Sequence, residues 1–152
     1  MSDFVDFRII DTAVFVIANV INLLLTAIFL CRPKGLRKAE RVCGLVCVSM
    51  ALPLGAAVIL NFLGNRELWM ILLPLLMILF LVLELLFDYI LMWEFRKTRW
   101  LWPYLLLYYS ALMAMIGYSF LIGKTYGFIT LGTYFLGLMA TWYSYAKVGH
   151  GQ

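Results

Sequence analysis

Five almost uncharged stretches, at 11–31, 42–63, 68–93, 104–122 and 128–146, most constrain what this chain can fold into. A helix of about 20 apolar residues crosses a hydrocarbon core, and each stretch has close to that length. Soluble folds cannot hide so much apolar surface. Of the 152 residues, 65% are hydrophobic and 13% charged, whereas soluble domains are about half apolar and about a quarter charged. The same balance excludes disordered, collagen-like and disulfide-stapled secreted chains. The expectation is an all-α polytopic integral membrane bundle, a single transmembrane domain over 1–152 with five spans. The third stretch is longer than a crossing requires and should tilt or project, and the fifth is the least apolar.

An odd number of spans places the termini on opposite sides, and the basic residues choose the orientation. Arg32, Lys34, Arg37, Lys38, Arg41, Arg96, Lys97, Arg99 and Lys147 fall on one side, against Arg8, Arg66 and Lys124 on the other. The crowded side is therefore read as cytoplasmic, with the N-terminal acids Asp3, Asp6 and Asp11 outside. The acidic start and the length of the first stretch argue for a permanent span rather than a cleaved signal, in the cell (inner) membrane. Trp69, Trp93, Trp100, Trp102 and Tyr104 gather at span ends, where amphipathic rings anchor at headgroup depth. The net charge of +4 is explained by topology and by anionic membrane lipids, not by nucleic acid.

Helices in lipid associate by close backbone approach and a few hydrogen bonds, so small residues four apart mark contact faces. Such ridges occur at Cys43, Cys47, Ala51 and Gly55, at Ala18, Asn22 and Thr26, at Ser110, Ala114 and Gly117, and at Thr133, Gly137 and Thr141. The third span has no Gly, Ala or Ser. Pro53 and Pro74 each delete a helical hydrogen bond and should open local kinks.

Glu84 and Asp88 are the acids well inside a span, and their spacing puts both on one helix face. A charge at mid-bilayer costs at least about 2.5 kcal/mol, so such groups face the protein interior and find partners. Asp88, nearer the boundary, is expected to pair with Arg96, Arg99 or Arg41. Glu84 is the candidate ligand or proton site. Counted from mid-span toward the cytoplasm, Ser49, Glu84, Ser110 and Thr141 each lie about three to four residues along, or ~5 Å, with Asn22 slightly shallower and Thr26 slightly deeper. They predict a polar layer around Glu84, unless the hydroxyls bond their own helices one turn back. Tyr109, Tyr118 and Tyr134 lie deep as well, and an aromatic wall opposite an acid suits an apolar or cationic ligand.

Cys31, Cys43 and Cys47 fall on the reducing side, so disulfides are not expected, and a metal site with the single histidine, His150, has no supporting spacing. No cofactor is expected, since phosphate-loop, nucleophile-elbow and metalloprotease patterns are absent from the sequence. Three functions follow in order. The first is a bundle that binds or translocates an apolar or weakly basic small molecule, or a proton, through Glu84. The second is an accessory membrane subunit whose polar groups fix helix register. The third is an intramembrane lipid-modifying enzyme using Glu84 or Asp88 as general acid or base. Membrane lipids are expected partners, and a wide pore would need a homo-oligomer.

Overall fold

The structure, a computed structural model, describes residues 6–149; these form helices and connecting turns, with no strand among them. Helix α1 (Phe7–Cys31) is capped by Asp6, whose side chain accepts a hydrogen bond from the Arg8 N–H at 3.0 Å. A short turn, Arg32–Lys34, closes on Gly35 at φ 66°, a left-handed conformation that glycine adopts without strain. Then follow α2 (Arg37–Ser49), α3 (Ala51–Leu63), α4 (Trp69–Glu84), α5 (Leu101–Ile122) and α6 (Lys124–Val148).

Four helical segments, Phe7–Lys34, Arg37–Leu63, Trp69–Ile90 and Leu101–Ile122, are long and apolar enough to cross a membrane. Helix α6 matches α1 in length with less apolar character, which makes the total four or five. The helices extend beyond several of the expected limits. Helix α1 begins four residues before Asp11, so that acid stands within the helix rather than in a tail. Arg37 to Arg41 are helical too, and the third stretch ends its helix at Ile90 rather than Trp93. His150 lies outside the described residues, as does Asp3.

The two internal prolines act as the missing N–H predicts. Pro53 cannot bond the Ser49 carbonyl, and the helix breaks at Met50 between α2 and α3. Pro74 cannot bond the Met70 carbonyl, yet α4 runs on unbroken because the Asn61 side-chain amide donates to that carbonyl at 3.0 Å. Asn61 and Pro74 are both fully buried, so α3 supplies the donor that α4 lacks. Past Glu84, the last turn of the third stretch, Leu85–Ile90, widens to π-helical bonding, with the Leu91 N–H reaching the Leu86 carbonyl at 2.8 Å.

The core is one cluster built from every helix, with Val14, Ile21, Leu54, Met77, Phe80, Leu81, Met115 and Tyr118 at or near zero exposure. Helix α1 packs most extensively on α6. The two run in the same direction, since Asn19 meets Thr130 and Asn22 meets Thr133. Gly137 lets them approach: a Cβ there would stand 3.5 Å from the Thr26 hydroxyl. Gly55, by contrast, faces open space, so the α2–α3 ridge expected at Cys43, Cys47, Ala51 and Gly55 is a contact face only in part; Cys47 is buried.

Candidate functional site

The polar residues expected at one level do not form one layer. They separate into three groups, because helix rotation, which depth alone does not fix, decides which side chains meet.

At the end of the bundle where α1 stops and α2 and α5 begin, Glu84 and Asp88 face Arg96. The Arg96 guanidinium donates to Asp88 at 2.5 Å and lies 3.8 Å from the Glu84 carboxylate, which also accepts a hydrogen bond from the Tyr104 hydroxyl. The turn Phe95–Lys97, which precedes α5, delivers Arg96 to this point. The Glu84 side chain keeps 21% exposure, which means that it is neither sealed in the core nor on the outer wall. It opens onto two spaces. One is a cleft of about 480 Å³ between α1, α4, α5 and α6, walled by Leu25, Phe29, Phe80, Tyr104, Tyr108, Tyr109 and Trp142 and bordered by Thr141. The other is a polar vestibule of about 690 Å³ rimmed by Arg32, Arg37, Lys38, Glu40, Arg41 and Asp88. Ile28, Arg32, Glu84 and Arg96 border both.

The aromatic wall is packed ring on ring. Phe80 meets Tyr104 and Tyr108 at centroid distances of 5.8 and 5.3 Å, and Tyr108 meets Tyr109 edge-on at 5.0 Å. Of the residues expected around Glu84, Thr141 and Tyr109 line the same cleft, but the Thr141 hydroxyl donates to its own helix, to the Gly137 carbonyl at 2.8 Å. Ser49 does not belong there. It is exposed and bonds the Val46 carbonyl at 2.6 Å, the backbone alternative open to any helical serine. Ser110 is half-buried and lines neither space.

Asn22 belongs to a second group, a relay across α1, α5 and α6. Its amide donates to the Thr133 hydroxyl at 2.9 Å, and Thr133 donates to the Asn19 side-chain oxygen at 2.8 Å. The Asn19 amide in turn donates to Thr130, Thr130 to Ser119, and Ser119 to the Met115 carbonyl, at 3.1, 2.9 and 3.0 Å. Thr133, Asn19, Thr130 and Ser119 each give and receive, so the bonds polarise one another. Thr130 and Ser119 are fully buried. Replacing Thr130 by Val keeps the shape and deletes the link; the expected loss is about 1 kcal/mol of stability, measured by denaturant unfolding in detergent.

The third group stands at the opposite end. Arg66, in the turn between α3 and α4, makes two bonds to Asp11 at 2.5 and 3.2 Å, and Tyr118 donates to Asp11 at 2.9 Å. The Arg66 guanidinium also reaches the Asn61 side-chain oxygen at 3.4 Å and stacks over the Phe7 ring at 5.0 Å. The hydrogen bond to Asp11 raises the Arg66 pKa further above its already high value, so this guanidinium stays charged. Neither this group nor the relay is centred on Glu84. Asn19 was visible as a polar residue in an apolar run, but nothing in the sequence ties it to Thr130.

Comparison with known proteins adds no assignment to this geometry: no family model, no curated protein and no solved structure matches the chain.

Proposed function

We propose that the chain is an inner-membrane protein of five spans, N-terminus outside and C-terminus cytoplasmic, that binds and carries an apolar or weakly basic small molecule by way of Glu84. On this topology the cleft and vestibule face the cytoplasm, on the side that holds most of the basic residues. The observation that carries the reading is that one carboxylate borders an aromatic-walled apolar cleft and a polar vestibule at once. A cleft of this size holds a drug-sized body. Among the described residues, the two carboxylates Glu84 and Asp88 share one close guanidinium, Arg96, which leaves the cluster with one formal negative charge for a ligand cation or a proton.

The test uses tetraphenylphosphonium, an apolar cation, with uncharged triphenylphosphine oxide as control. Purified protein should bind the cation, and Glu84→Gln should weaken that binding by about tenfold or more while leaving the control unchanged. Equal binding of the cation by Glu84→Gln overturns the proposal. Leu138→Trp, which fills the cleft without touching charge, should weaken both probes together.

A further inference from the structure

The vestibule holds a charge imbalance that the carboxylate cluster does not use. Three of its cations are matched: Arg32 with Glu40 at 2.7 Å, Arg96 with Asp88 at 2.5 Å and Lys97 with Glu94 at 2.8 Å. Arg37, Lys38 and Arg41 make no ion pair among the described residues, and all three are exposed on the first turns of α2. The fold holds this triad beside the carboxylates. The Tyr89 hydroxyl, next in sequence to Asp88, donates to the Arg41 carbonyl at 3.4 Å and lies against Gly44, where a Cβ would collide with it. Helix α2 therefore rides directly on the π-helical turn that carries Asp88.

The order of these groups outward from the cleft is what defines a ligand. Apolar wall comes first, then Glu84 at the border of both spaces, then the α2 triad, which borders the vestibule alone. We infer that the site takes a zwitterionic amphiphile of matching order: an alkyl chain in the aromatic cleft, an ammonium at Glu84, and a phosphate beyond it on Arg37, Lys38 and Arg41. Phosphate is favoured over a smaller anion because two guanidinium forks and an ammonium line the vestibule within five residues of one helix, and guanidinium groups bind phosphate oxygens in pairs. The inference rests on the proposed role of Glu84 and adds the class of the ligand to it.

Four probes separate the elements, each measured by equilibrium binding to the full chain in uncharged maltoside micelles. Sphinganine 1-phosphate has the order chain, ammonium, phosphate. Hexadecylamine lacks the anion, hexadecyl phosphate lacks the cation, and hexadecylphosphocholine reverses the order. Sphinganine 1-phosphate should bind about tenfold tighter than hexadecylamine, and hexadecylphosphocholine should show no such advantage. The double variant Arg37→Gln with Arg41→Gln should erase that preference without weakening hexadecylamine binding, since it removes only like charge from around the ammonium. Arg8→Gln with Lys124→Gln, which removes the same charge at the opposite end, should leave the preference intact. A preference that survives the α2 double variant, or an equal advantage for hexadecylphosphocholine, overturns the inference. If instead hexadecylamine binding ignores Glu84→Gln, it is the role of Glu84 that fails.

Discussion

Replacing Arg66 by Ala should cost about 3 kcal/mol, the largest single-residue effect expected in the polar part of the bundle. The pair it breaks is poorly solvated, with side-chain exposures of 18% for Arg66 and 15% for Asp11. Removing the guanidinium leaves the Asp11 carboxylate in that setting with the Tyr118 hydroxyl as its remaining donor, at 2.9 Å. An unmatched, half-hidden charge is more harmful than no charge. The double variant Arg66→Leu with Asp11→Leu should therefore recover most of the loss, although it deletes a second charged group. Unfolding in detergent, followed by helix content, measures all three species. A double variant as unstable as Arg66→Ala would show that the loss comes from packing of Arg66 on Phe7 rather than from the orphaned carboxylate.

The second large effect belongs to Asn61. Its amide satisfies the Met70 carbonyl that Pro74 leaves without a partner, deep in the core. Asn61→Leu, close to isosteric, should cost about 2–3 kcal/mol, because a buried carbonyl loses its bond outright. The donor can be restored from the other side. In the Pro74→Ala background α4 regains its own N–H at the needed position, and Asn61→Leu should then cost about 1 kcal/mol or less. The double-mutant cycle reads this coupling directly. Additive losses would mean that Asn61 acts through Arg66 and Tyr118, which it also approaches at 3.4 and 3.5 Å, rather than through the proline.

Helical architecture was legible because it depends on long-range composition: each of the five apolar runs lies mostly on helix, and each run is bounded by charge, glycine or proline. Helix ends were less legible, since Arg37 to Arg41 continue a helix whose apolar part begins at Val42, and hydropathy is blind to that. The candidate site divides the same way. Glu84 and Asp88 stand out in sequence because a carboxyl in an apolar run is costly anywhere. Their partners were legible only in part: Arg96, which meets Asp88, is one of the three cations expected for it. Tyr104 reaches Glu84 from 20 residues away and Arg66 reaches Asp11 from 55, distances at which sequence spacing carries no geometry. Depth could be counted from the sequence but rotation could not, which is why Ser49, at the expected level, points outward.

The side-by-side course of the first and last helices bears on how the protein is made. On the proposed topology, the least apolar of these spans leaves the ribosome after the other four, and its hydroxyls find their amide partners on the first of them. Insertion of Lys124–Val148 then depends on an earlier segment already waiting in the bilayer. A nascent chain stripped of Asn19 and Asn22 would be expected to leave its C-terminal segment stranded on the wrong side.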